Sequence, residues 1–518
     1  MATQIETTPA RRALVLGGVM AAMFLAAMES TVVATAMPTV IASLGGIRIY
    51  SWTFSAFLLT STVSMPIWGR LADHLGRRPA YLFGLAVFLL GSALAGVSQS
   101  MEQLIAFRSV QGIGAGSLIT VGMTIVGDLY GMERRAKMQG YFSSVWGVAS
   151  LVGPLIGGVL TDRVSWRWVF YINLPIGLLA AAAITAGLRD EVRIRPRTSF
   201  DVRGMSIFVA AISAFLVGLV QVGGSEPWMR SAGLSLVVLS CVLLVVFVVV
   251  ERRAKEPVIP LRLFRNPIVR AAAVTGLLSG MAMFGAITYV PLYLQAVVGS
   301  TATQAGWVLL PFVFGWVVFS VLAARLVLRV GYRRVVLAGM SLLVLAFVLL
   351  SSWDGSLTRL VAARDIALAG VGMGLIFVPM LIAVQSAVPR SLLGSATSLT
   401  TFFRTIGGAV GVAIMGAAMT HRLERGLVEM VATAPANLRE PLRVVASHPD
   451  LVVNPMTRAA LGGDLLDQMR PVLAHAVGGV FVVGLVIAVA AMASTILVPA
   501  GHARDLAVRR EGVPSSGS

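Results

Sequence analysis

The sequence predicts an all-α polytopic membrane protein of fourteen transmembrane helices. They are expected to form two six-helix, pseudo-symmetric bundles with two helices inserted between them. Three observations carry that expectation. Hydrophobic residues make up 57% of the 518 positions and charged residues only 12%, with a mean hydropathy of +0.86, the profile of a chain whose solvent is lipid. Apolar runs long enough to cross a ~30 Å hydrocarbon core at 1.5 Å per helical residue recur fourteen times. The two halves of the chain also repeat each other.

Taken in order, the spans fall near 13–42, 51–70, 80–98, 103–127, 138–160, 167–187, 204–223, 231–250, 269–297, 304–327, 334–352, 360–387, 393–418 and 471–498. Arg11 and Arg12 ahead of the first run resemble the start of a secretion signal, but the run continues past Glu29 and reads as a retained span. An even number of spans puts both termini on one side. The 41 basic residues divide unevenly: 27 lie on the side of the termini, five in the short loops opposite (Arg48, Arg163, Arg167, Arg230 and Arg359), six in the long 419–470 segment, and three (Arg108, Arg364, Arg404) inside spans. By the positive-inside rule both termini are expected in the cytoplasm, with the protein in the cytoplasmic membrane. The same bias accounts for the formal net charge of +18 without a nucleic-acid partner.

The expected organisation is an N-terminal bundle over 1–188, linkers and two inserted helices over 189–268, a C-terminal bundle over 269–499 with an outer loop at 419–470, and a cytoplasmic tail at 500–518. The ends of the outer loop, 421–431 and 457–470, read as extensions of the flanking helices. The repeat supports the two bundles. LIAFR at 104–108 precedes GIGAG, and LVAAR at 360–364, 256 residues later, precedes GVGMG. GRLADHLGRR (69–78) echoes ARLVLRVGYRR (324–334) at an offset of 255. Parallel halves of this kind enclose a binding cavity near the membrane midplane.

Several chemistries are excluded. Neither lysine, Lys137 or Lys255, sits in a G-x-x-x-x-G-K-[ST] phosphate loop, and the five histidines form no H-E-x-x-H pair. A single cysteine, Cys241, allows no intrachain disulfide. No enzyme activity, metal or cofactor is expected.

What stands out is charge where charge is expensive. Glu29 lies mid-way along the first span, and a carboxylate there costs several kcal/mol unless paired, hydrated or protonated. Such a group can bind and release a proton, as a proton-coupled carrier requires. Arg108 in span 4, Asp365 in span 12 and Arg404 in span 13 complete the candidate proton-coupling set. Arg364 occupies the place in span 12 that matches Arg108. Asp365 follows it directly, so helix geometry is expected to send the two to different faces. Gly69, Asp73, Gly76, Arg77 and Arg78 after span 2, with Asp128 at the end of span 4, are a candidate conformational latch built from charge-assisted contacts around a glycine turn. In span 5, Gly147, Gly153, Gly157 and Gly158 invite close helix approach and Pro154 bends the helix. Phe142, Trp146, Trp307, Trp316, Phe402 and Phe403 are candidates to wall an apolar cavity. Trp52, Trp166, Trp168, Trp228 and Trp353 read as an interfacial belt on the outer side.

These residues resemble the major facilitator superfamily over nearly the whole chain, and within it the fourteen-span drug:proton antiporters. The span-2/3 signature is matched at Gly69, Leu71, Asp73, Gly76, Arg77 and Arg78. The span-4 signature is matched at Leu104, Arg108, Gln111, Gly112 and Gly114, and the antiporter signature of span 5 at Gly147, Gly153, Pro154, Gly157 and Gly158. WRWVFYINLPIG (166–177) is similar to the family's approach to span 6. The departures are Glu29 where an aspartate is usual, Leu328 where the second half would repeat Asp73, and no acid in spans 9 and 10. The resemblance implies a proton-coupled secondary transporter, with protons as the coupling ion. It would export lipophilic or cationic drugs by alternating access, as a monomer whose partners are a small amphipathic substrate and the bilayer. An exporter of lipids or another amphipathic metabolite is the alternative, followed by a uniporter or channel.

Overall fold

The computed structural model describes residues 9–129, 132–188, 201–222, 227–254, 257, 261–389, 392–433, 439, 442–443 and 463–499, and these are helical nearly throughout. In chain order the helices are α1 (Pro9–Leu44), α2 (Trp52–Leu75), α3 (Arg77–Val97), α4 (Met101–Leu129), α5 (Met132–Arg163), α6 (Trp168–Tyr171), α7 (Asn173–Gly187), α8 (Val202–Val222), α9 (Pro227–Arg253), α10 (Pro267–Ala296), α11 (Ala302–Val330), α12 (Tyr332–Ser351), α13 (Arg359–Ala387), α14 (Leu393–Thr433) and α15 (Gly463–Ser494). In lipid no water is available to satisfy an open backbone, so helices, which bond internally, are the natural outcome of these apolar runs.

Eleven helical stretches among the described residues are long and apolar enough to cross a membrane. The expected spans 51–70, 138–160 and 204–223 are not among them, so fourteen crossings are not established. In α2 the hydroxyls of Thr53, Ser55, Thr60, Ser61, Thr62 and Ser64 dilute the apolar run.

The breaks between helices follow local rules. Gly76 turns α2 into α3 at φ 97°, and Gly331 turns α11 into α12 at φ 85°. Both backbones lie where a residue with a Cβ is strained. The two glycines occupy the repeat's 255-residue offset. Helix α10 starts with Pro267 in its first turn, and Asn266 accepts the Ile268 amide at 2.9 Å. Between α6 and α7, Pro175 has no amide to donate to the Tyr171 carbonyl, and the helix breaks just there. Helix α14 runs 41 residues without interruption, about 60 Å, so it continues through 421–431 well beyond the thickness of a hydrocarbon core.

The described residues group into two compact units. One lies within 1–200 and 300–307, the other within 201–299, 308–447 and 461–518. In the first, α4 packs against α2 and α3, and α1 against α5 and α7. In the second, α10 packs against α14 and α15, α12 against α13 and α15, and α8 against α9. The core of each unit is apolar, so the polar exceptions inside it mark the site.

Candidate functional site

Five helices of the first unit converge on Glu29. It lies twenty residues from Pro9 and fifteen from Leu44 along α1. Glu29 is 1% exposed, and Arg108, Gln111, Asn173 and Ser92 are wholly buried. One Glu29 oxygen, Oε1, is held by Nη1 of Arg108 in a direct ion pair. The other, Oε2, accepts from Asn173 Nδ2 at 3.0 Å. Arg108 is fixed in turn: Nε donates to the Thr53 carbonyl at 3.0 Å, Nη1 also reaches Gln111 Oε1 at 3.2 Å, and the guanidinium lies 4.4 Å from the centre of the Phe57 ring. Ser92 ties the far side together, accepting from Asn173 at 2.8 Å and Gln111 at 3.2 Å and donating to the Phe170 carbonyl at 2.8 Å. Two atoms stay unpaired inside this shell, the donor Nη2 of Arg108 and the acceptor Oδ1 of Asn173. A buried polar atom without a partner is costly, so the network is closed in charge but not in hydrogen bonding.

The glycine run after Arg108 explains how an arginine comes to be buried here. A Cβ on Gly112 would fall 2.5 Å from the Phe57 carbonyl oxygen, and one on Gly116 2.6 Å from that of Ser61, so both glycines abut α2. A Cβ on Gly114 would fall 2.2 Å from the Phe88 amide of α3. Backbones in contact on two sides of α4 leave lipid no access to the arginine one turn earlier.

The second unit repeats the seam but not the charge arrangement. Gly370 and Gly374 abut the Phe312 and Trp316 carbonyls of α11, and Gly372 abuts Gly339 of α12. Arg364, however, is 63% exposed, and it binds Asp365 through Nε at 2.8 Å and Nη2 at 2.7 Å. The expectation that adjacent positions keep this pair apart does not hold, because the long arginine side chain folds back over its neighbour. Asp365 itself is buried and also accepts from the Trp353 indole at 3.0 Å. Trp353 is therefore not a belt residue, since it is 7% exposed and stacked with Tyr293 and Phe481. Trp166 is likewise buried. Arg404 stands elsewhere in the unit, half-buried, 4.0 Å above the Phe377 ring.

The remaining candidates are placed as follows. Gly76 forms its turn, Arg77 and Arg78 begin α3, and Gly69 faces Thr120. The side chains of Asp73 and Asp128, and of Phe142 and Trp146, lie outside the described residues, and Gly147 lies within α5. In α5, Gly153 and Gly157 abut Thr31 and Thr35 of α1. Pro154 and Gly158 face the other way, where the first turn of α11 belongs to the same unit: Gly306 meets the Pro154 carbonyl and Gly158 meets Thr303. Trp307 is 58% exposed and Trp316 sits edge-on to Phe312. Phe402 and Phe403 pack on each other, on Phe208 of α8 and on Phe264.

Sequence reasoning missed Ser92, Asn173, Thr53 and the network role of Gln111. Gln111 and Asn173 were visible as amides inside apolar stretches, and Gln111 lies three residues after Arg108, on the same helix face. Asp162 was missed as well. One α5 turn beyond Gly158, it accepts the Ala302 and Thr303 amides at 3.2 and 2.8 Å and so caps α11.

A buried carboxylate–guanidinium pair in the first of two repeated helical units is the setting in which relatives become informative. The multidrug transporter protein MdtP of Bacillus subtilis (strain 168) is 38% identical over 417 residues, which is 80% of this chain and 77% of that protein. Multidrug resistance protein 3 of the same organism is 32% identical over 485 residues, 93% of this chain and 94% of that one. Among solved structures, a bacterial homolog of the human lysosomal transporter Spinster superposes with a TM-score of 0.66 at 17% identity, covering 98% of this chain and 100% of the other. That likeness is one of fold. The family model for the Major Facilitator Superfamily matches residues 19–412, and the chain belongs to that superfamily of multi-pass membrane transporters.

Proposed function

We propose that the chain exports lipophilic, drug-like small molecules in exchange for protons, by alternating access, as a monomer with both termini in the cytoplasm. The observation that carries this reading is the sealed pair of Glu29 and Arg108, held by Gln111, Asn173 and Ser92. The names of the bacterial relatives, a multidrug transporter and a multidrug resistance protein, support the cargo class. The basic bias of the loops on the side of the termini supports the orientation.

The coupling argument is electrostatic. With Glu29 ionised, the pair is neutral overall and the network is at rest. Protonating Glu29 leaves Arg108 uncompensated in a buried site, a penalty of about 3–5 kcal/mol for breaking such a pair. The helices that carry the pair must then shift to give the guanidinium another partner or water, and α1 and α4 each supply one half of the pair. Proton arrival is thereby tied to helix movement. Each proton falling through ~100 mV supplies about 2.3 kcal/mol, of the same order as the strain it must drive.

Everted membrane vesicles containing the full chain test this directly. Under an imposed pH gradient, acid inside, the protein should accumulate a fluorescent lipophile in the lumen while protons leave it. Glu29→Gln should lose gradient-driven accumulation. Transport by Glu29→Gln as fast as wild type would falsify the proposal.

A further inference from the structure

Arg404 is a half-buried cation with no counter-ion among the described residues, and this bears on the cargo. It lies eleven residues into α14, about 17 Å along the axis, which is near mid-depth for a ~30 Å core. Its Nε is buried and unpartnered, and its guanidinium lies over the face of Phe377, 4.0 Å from the ring centre. The backbone around it is fixed: a Cβ on Gly280 would strike the Arg404 carbonyl oxygen at 2.2 Å. The neighbouring hydroxyls are turned away from it, Thr400 to the Thr397 carbonyl at 2.7 Å and Thr405 to that of Thr401 at 3.0 Å.

The other intramembrane charges are committed. Glu29 holds Arg108, and Asp365 holds Arg364. Neither carboxylate is available to a cationic drug while those pairs stand, and Arg404 is left as a positive charge with donors to spare. A ring face attracts a guanidinium less strongly than a carboxylate does, because the carboxylate offers two ionic hydrogen bonds in the plane of the fork.

We propose that Arg404 is the anchor for an acidic group on the transported molecule, so that lipophilic anions, an apolar body carrying a carboxylate, are the favoured cargo. This rests on the export reading above and narrows it. The Phe377 ring holds the guanidinium in place and adds an apolar surface for the body of the ligand. A carboxylate arriving there neutralises the Arg404 guanidinium, and an uncharged ester of the same molecule does not.

The test compares a fluorescent lipophilic carboxylic acid with its own methyl ester. Both are titrated against the purified full-length protein in detergent micelles, and both are offered to everted vesicles under a pH gradient. Wild type should bind the acid about tenfold or more tightly than the ester, the span of one charge-assisted contact. Arg404→Gln should bring that ratio towards one, and Arg404→Lys, which keeps the charge and loses the fork, should fall between. Equal affinities in wild type overturn the proposal, and so does a ratio that survives Arg404→Gln. If Arg404→Gln does not fold, Arg404→Lys decides, because an undiminished preference there speaks against a forked contact and overturns it. An acid preference that depends on Arg404, with neither compound moved by the gradient, would leave this proposal standing and remove the export reading instead.

Discussion

Helices α4 and α13 are copies of one another that put their arginines to opposite uses. Both carry an arginine followed by a run of alternate glycines, and in both the first and third glycines meet one neighbouring helix while the middle one meets another. The difference is the spacing. Arg108 precedes Gly112 by four residues, and Arg364 precedes Gly370 by six. At about 100° per residue, four residues return to nearly the same face and six arrive about 240° round. The seam therefore draws Arg108 into the unit, where Glu29 waits, and turns Arg364 outward to 63% exposure, where it can only fold back on Asp365. Two residues of slip separate a sealed ion pair from a surface one.

The comparison breaks most visibly at Arg108. Arg108→Ala leaves the Glu29 carboxyl without its partner in a buried site, and a thermal melt of the purified protein should register about 3–5 kcal/mol of destabilisation, with gradient-driven transport lost. Adding Glu29→Gln to an Arg108→Gln background removes both charges together. It should recover much of the stability, because no buried charge is then left alone, while transport stays uncoupled. A double variant no more stable than Arg108→Gln alone would show that the pair is not what holds the site together.

The seams themselves come next. Gly114→Ala puts a methyl 2.2 Å from the Phe88 amide and 2.6 Å from the Gly84 carbonyl, so two backbones must part. Overpacking of this kind costs about 1–3 kcal/mol. The counterpart Gly372→Ala meets its nearest atoms at 2.7 and 3.0 Å and should cost less. Melts of the two single variants rank the seams. Equal losses would mean that the glycines are spacers of the same kind and that the tighter fit round α4 has no energetic weight.

The sequence carried the membrane class, the repeat and the five intramembrane charges, because each depends on residue type and spacing alone. The glycine turn at Gly76 was legible for the same reason. What it did not carry was rotation. An alignment of LIAFR with LVAAR makes Arg108 and Arg364 look equivalent, and only the position of each relative to the glycines, read as an angle, shows that they are not. Partner choice was also hidden. Asn173 and Ser92 lie 144 and 63 positions from Glu29, on helices whose packing order no local pattern encodes. Arg364 with Asp365 was misjudged because backbone direction was allowed to stand for the reach of a long, flexible side chain.

The outer pair gives the smallest effects, and for that reason it is the sharpest control. Asp365→Asn keeps an acceptor for the Trp353 indole and loses only the charge. About 1 kcal/mol or a little more should go, and proton-driven transport should continue. Arg364→Gln removes the partner of that carboxylate from a largely solvent- or headgroup-facing position, where an exposed pair contributes about 0–1 kcal/mol. The same chemical change at the sequence-equivalent Arg108 is expected to abolish coupling. If Arg364→Gln instead stopped transport as completely as Arg108→Gln, the two arginines would be functional equals after all. The two-residue slip would then be an accident of packing rather than the feature that assigns the coupling site to one half of the chain.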